Sequence, residues 1–135
     1  MKAIYLFTYD INEHKEETIL HTKFTSSIEN LLGHDEIVDI KPALDSVWFI
    51  EYTDNVQRHS EMTKNLFELI SEEFSSIVEE LNESKPGRYE MKQLHACLVE
   101  ILSFQQIKHL HLKRDTTSWL RQRLTNMEKV CVSLK

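Results

Sequence analysis

Side chains able to do chemistry are sparse in this chain. Five cations, Lys108, Lys113, Arg114, Arg121 and Arg123, stand close together late in the sequence. Such a run can neutralise a phosphate backbone, and binding of that kind weakens as salt rises. Arg121 and Arg123 are two apart on a helix and do not share a face tightly. No aromatic ladder accompanies them, so sequence-specific reading of single strands is not expected. His109 and His111 would face the same way if Leu110 lay on a strand, and two imidazoles at that spacing can share Zn²⁺. No Cys or carboxylate at matching spacing supplies a third ligand, so solvated histidines are the plainer reading. Cys97 lies in an apolar run and reads as inert core, while Cys131 reads at best as a surface thiol. Asp10 closes the apolar stretch Met1–Asp10 and, taken alone, reads as a strand-end residue capping the next helix or turn. There is no glycine-rich phosphate loop, nucleophile elbow or paired-cysteine zinc pattern.

Composition sets the frame for these groups. A chain of 135 residues, 41% hydrophobic and 28% charged, fits one ordinary globular domain that folds without disulfides or metals. Two cysteines make no framework and suit a reducing compartment. With no apolar stretch long enough for a signal peptide or a membrane span, a cytoplasmic protein without membrane contact is expected. The net charge of −6 conceals an asymmetry. Up to Ile107 there are 9 basic against 20 acidic residues, and from Lys108 onward 7 against 2. A basic tail on an acidic body either meets anionic partners, nucleic acid included, or packs against its own body.

The elements that must position these residues follow from periodicity. In MKAIYLFTYD, Ala3, Tyr5, Phe7 and Tyr9 alternate with Ile4, Leu6 and Thr8, and both sets are largely apolar, which belongs to a strand inside a sheet. Glu13–Leu32 reads as a helix on the stripe Ile19, Leu20, Phe24, Ile28, Leu31 and Leu32, with Gly33 as its stop. Asp35–Lys41, ended by Pro42, and Asp45–Thr53 read as a hairpin of two strands. Asn55–Glu83 reads as a long second helix, with Phe74–Leu81 as a competing strand. The stretch from Met91 to Ile101 fits either a strand or a helix; as a strand it completes a β-α-β-β-α-β unit. Asp115–Met127 reads as a helix with Trp119, Leu120 and Leu124 buried, and Lys129–Leu134 as an added edge strand. The expected division is a core over 1–103 and a basic C-terminal extension over 104–135.

Three patches resemble known proteins. Tyr5–Asn12, YLFTYDIN, is similar to the opening of the smaller CRISPR spacer-acquisition subunit and of short SinR-family proteins. Asp45–Ile50, DSVWFI, resembles the Asp-Ser-Thr-Trp strand of the latter, and Ser118-Trp119-Leu120 their C-terminal helix. The resemblance implies an α+β, ferredoxin-like fold (β-α-β-β-α-β) with a C-terminal helical or strand extension. It also implies a homodimer with Asp10 of each subunit near the two-fold axis, where that aspartate would hold Mg²⁺ or Mn²⁺ for phosphodiester hydrolysis. Glu13, Glu16 and Glu17 follow Asp10 where basic residues would serve a phosphate better. Two hypotheses result. One is a non-enzymatic, cofactor-free module that dimerises through a sheet edge, with Val130-Cys131-Val132 as a pairing segment, and binds another protein in defence, counter-defence or toxin–antitoxin assemblies. The other is a metal-dependent ribonuclease or deoxyribonuclease with Asp10 as ligand and the tail as phosphate clamp.

Overall fold

The computed structural model describes residues 1–13 and 17–133, with side chains of the last helix described as far as Thr125. The chain forms β1 (Lys2–Ile11), α1 (Ile19–Ser27), β2 (Ile37–Leu44), β3 (Val47–Thr53), α2 (His59–Ser84), β4 (Leu94–Ile101) and α3 (Arg114–Ser133). It is an α+β protein: the four strands make one antiparallel sheet in the order β2-β3-β1-β4.

The double apolar alternation of β1 is used on both sides. Tyr5, Phe7, Tyr9 and Ile11 join Trp48, Ile50 and Tyr52 of β3 beneath α1 and α2. Ile4 and Leu6 join Phe49 of β3 and Ile101 of β4 beneath Leu120 and Leu124 of α3, with Ile107 filling the gap. Fully burying one such side chain contributes about 1.5–3 kcal/mol. β1 is therefore the strand on which both cores are built.

α2 is the simplest element. Met62, Leu66, Ile70, Phe74, Ile77 and Leu81 are buried along one stripe, and no Gly or Pro interrupts it. The competing strand at Phe74–Leu81 does not form, because those residues continue the stripe.

Several boundaries depart from expectation. α1 begins at Ile19 rather than Glu13, because the Glu13 carboxylate accepts from the N–H groups of Leu20 and His21 at 3.1 and 3.2 Å. Glu13 is thus the cap of that helix and cannot be its first turn. At the other end the hydroxyls of Ser26 and Ser27 donate to the carbonyls of Thr22 and Phe24. Those bonds accompany a tighter 3₁₀ turn over Ile28–Gly33 that still buries Ile28 and Leu31. Pro42 does not end β2. It lies inside an edge strand, opposite Trp48 and next to a shift in register before Leu44, where its missing N–H removes nothing essential. Lys129–Leu134 does not make an edge strand: α3 runs unbroken through Ser133, and Leu134 lies outside the described residues. The alternation of Val130 and Val132 is too short to stop a helix already propagating without Gly or Pro.

Asp54 ties one end of the β1–β3 pair to α2. Its carboxylate accepts from Asn65 Nδ2 at 2.9 Å, Tyr52 Oη at 2.8 Å and the Asn55 N–H at 2.7 Å. Its carbonyl takes the Met1 ammonium at 2.9 Å. The Asn65 bond, assisted by that of Tyr52, holds the Asp54 carboxyl below its ordinary value of 3.8, although burial opposes this. Burial, and then the Asp54 carboxylate, push the Tyr52 phenol far above its usual range. Because the folded value for Asp54 is depressed, its stabilisation is complete above 3.8 and is lost as pH falls through the folded value. Urea midpoints of the wild type should hold steady from neutral pH downward and fall below the ordinary carboxylate range. Asp54→Asn should start lower and lose less over the same acid interval.

Candidate functional site

Asp10 is exposed at the end of β1, in register with the exposed His95 of β4. The neighbouring Tyr9 N–H donates to the Ser46 carbonyl at 3.2 Å, which brings the β2–β3 turn beside this strand end. Ser46 makes that turn with φ of 59°, a left-handed conformation that Gly or Asn would adopt more easily. Asp10 is not the helix cap that its strand-end position suggested; Glu13 has that role. Glu17 is engaged by Arg88, and Glu16 lies outside the described residues. Among the described residues no three His, Cys, Asp or Glu side chains converge on a point where a metal could sit. His109 and His111 are exposed in the irregular segment before α3, not on a strand, so the shared-face geometry required for zinc does not arise there.

The basic residues divide into two groups. Lys108, Lys113, Arg114 and Arg121 are exposed, and the Arg121 guanidinium lies 4.8 Å from the centroid of the Phe104 ring. Arg123 is turned inward. Its Nη2 donates to Asp39 Oδ2 at 2.8 Å and its Nε to Glu51 Oε1 at 3.1 Å. Trp119 Nε1 donates to the same Asp39 oxygen at 2.8 Å, and Arg123 lies over the Trp119 ring at 4.1 Å.

The local reason is electrostatic. Asp39 of β2 and Glu51 of β3 are directly opposite in register, and like charges so placed destabilise a sheet. Glu51 is only 7% exposed, so the pair needs a cation that reaches both oxygens. A forked guanidinium does so, and Lys2 adds a longer contact to Glu51 at 3.6 Å. At the start of α3, Lys41 pairs with Asp115 at 2.9 Å. The basic tail thus packs in part against its own acidic body. Asp39 and Glu51 were not singled out from the sequence, and Trp119 was read there only as a buried residue of the last helix. The available signal was Glu51, a charge in line with Val47 and Phe49 on a strand of apolar residues.

The sheet has two edges, and they differ. β2 carries Asp39, Lys41, Pro42 and two register shifts, and it is pinned by Arg123 and Trp119. These are the features that discourage pairing with another chain. β4 runs eight residues in unbroken register with β1, with no Pro, Lys or Arg. Its one charged side chain, Glu100, is held by His59 Nδ1 at 2.8 Å. On the side where α3 lies, His95, Cys97 and Val99 are exposed, and Leu102 just beyond the strand is 68% exposed. Cys97 is therefore not core: α3 covers β2 and β3 and stops short of the outer half of β4. The pairing segment expected at Val130-Cys131-Val132 is helical, so the open edge is β4 instead.

Arg123→Met should lower stability by about 2–4 kcal/mol, because it leaves two adjacent carboxylates without their shared cation. Arg121→Ala should cost no more than about 1 kcal/mol, the scale of an exposed cation–π contact. Urea unfolding of both variants checks the difference. Comparison of this chain with known protein families, curated proteins and solved structures finds no match.

Proposed function

We propose that this protein is an interaction module without catalytic activity. It is ferredoxin-like in chain path, works as a homodimer joined through a sheet edge, and presents the resulting surface to another protein. The β-α-β-β-α-β order, with β1 inside the sheet and α1 and α2 over one face, supports the ferredoxin-like reading. The observation that carries the functional reading is the contrast between the guarded β2 edge and the open, nearly uncharged β4 edge. An exposed strand of that kind is a template for another chain unless something covers it. The resemblance of YLFTYDIN and DSVWFI points to defence, counter-defence or toxin–antitoxin assemblies as the setting.

Light scattering on the full chain should give a dimer mass that dissociates as concentration falls through the micromolar range. Val99→Lys places a charge on the exposed side of β4 and should shift the mass to that of a monomer with unchanged helix content. A wild-type monomer at every concentration would remove this reading.

One observation favours the nuclease alternative: exposed Asp10 and His95 stand side by side on neighbouring strands. A carboxylate and an imidazole leave a divalent ion short of ligands. With Arg123 spent on Asp39 and Glu51, the phosphate clamp loses one of its five cations. Cleavage of RNA or DNA with Mg²⁺ or Mn²⁺ should accordingly be weak or absent. Strong cleavage abolished by Asp10→Ala would establish the alternative.

A further inference from the structure

We propose that the second copy pairs β4 against β4 in antiparallel register centred on Cys97, joining the two sheets into one of eight strands. This rests on the homodimer reading above and specifies its geometry. Two antiparallel strands related by a two-fold axis normal to the sheet keep corresponding faces on the same side. Directly opposite residues must then share a face, so the axis passes through a residue position rather than between two.

Three observations choose that position. The Glu100 carbonyl accepts from Gln106 Nε2 at 3.2 Å, and Gln106 also takes the N–H groups of Leu102 and Ser103. This side chain caps the C-terminal end of the edge, so the ladder centres toward Leu94. An axis at Cys97 pairs Leu94 through Glu100 and keeps the capped carbonyl at the ladder's end. An axis at Ala96 shortens the ladder, and one at Leu98 moves the capped carbonyl inward.

Side-chain size is the second observation. About Cys97, each Ala96 meets Leu98 of the partner subunit, small against large, and each His95 meets Val99 of the partner subunit. The exposed Val99 is thereby covered. The third is charge, which excludes an axis at Glu100 itself. Glu100 is the one charged residue of β4, and about Cys97 it stands opposite Leu94 of the partner subunit, so no like charges meet.

The arrangement has a consequence for Asp10. It lies beside His95, two residues from the axis position and one strand further out. With strands about 4.8 Å apart and a rise of about 3.4 Å per residue, the two Asp10 positions fall about 20 Å from each other. Two carboxylates at that separation cannot hold one cation, so this dimer and a shared Asp10 metal centre exclude one another. The ladder is about 24 Å long, at the small end for a specific interface, which agrees with an association in the micromolar range.

The native thiol reports the register. In a full-length Cys131→Ser chain, Cys97 of each subunit would be directly opposite its copy, at a Cβ separation of roughly 4.5–5.5 Å, near enough for a disulfide with slight adjustment. Copper–phenanthroline oxidation at concentrations where the dimer forms should give a covalent dimer on a non-reducing gel. The yield should fall at least tenfold when Val99→Lys is added. Val99→Cys in a Cys97→Ser, Cys131→Ser background should cross-link at least tenfold more slowly, since its copy would lie four residues away along the ladder. A dimer by light scattering in which Cys97 does not cross-link, or in which the Val99→Cys chain cross-links faster, would overturn this register and leave the interaction-module reading standing. A monomer at all concentrations would overturn both.

Discussion

Everything in this molecule depends on β1 being buried on two sides. A strand with apolar residues at successive positions cannot face water on either surface, so it requires a layer above and a layer below. α1 and α2 supply one layer and α3 with the segment around Ile107 supplies the other. The two layers are unequal. The α1–α2 side holds a large aromatic cluster, with Phe24 edge-on to Phe7, Tyr9 and Phe74. The α3 side is smaller and rests mainly on Phe49, Ile101, Leu120 and Leu124. The helix in the second layer therefore needs more than apolar contact to fix its seat.

Arg123 provides that seat. Sheet geometry places Asp39 and Glu51 opposite one another, a local conflict that Arg123 resolves by reaching both carboxylates from outside the sheet. Because the guanidinium comes from α3, the same contact relieves the repulsion and sets where the helix lies across β2 and β3. The stack of Arg123 on Trp119, and the Trp119 bond to Asp39, join these groups into one unit. Removing Arg123 would leave the two carboxylates facing each other without their shared cation.

The position of α3 then determines which part of the sheet stays open. A helix anchored on β2 and β3 guards one edge and leaves the outer half of β4 uncovered. On that face only Ile101 of β4 joins the cluster beneath α3, and His95, Cys97 and Val99 stay exposed. The edge itself comes from the strand order, which puts β4 last, and the salt bridge decides only where α3 shelters the sheet.

Much of this was legible in the amino-acid order, because local periodicity carries it. The two-faced run Met1–Asp10 announced an internal strand, the stripe from Met62 to Leu81 announced α2, and Asp115 with Trp119, Leu120 and Leu124 announced the third helix. What went astray depended on contacts distant in sequence. Glu13 reads as a helix residue until its carboxylate is seen capping Leu20 and His21. Cys97 reads as core because an alternating strand does not say which face is covered, and Val130 and Val132 read as a strand because a two-residue pattern outweighs nothing. Arg123 reads as a phosphate contact because its charge is visible, whereas its partners lie more than seventy positions away. Composition and periodicity determined the elements and the inner strand. The tertiary arrangement alone decided which charges are spent internally and which edge is left free, since both depend on where elements far apart in the chain come to rest.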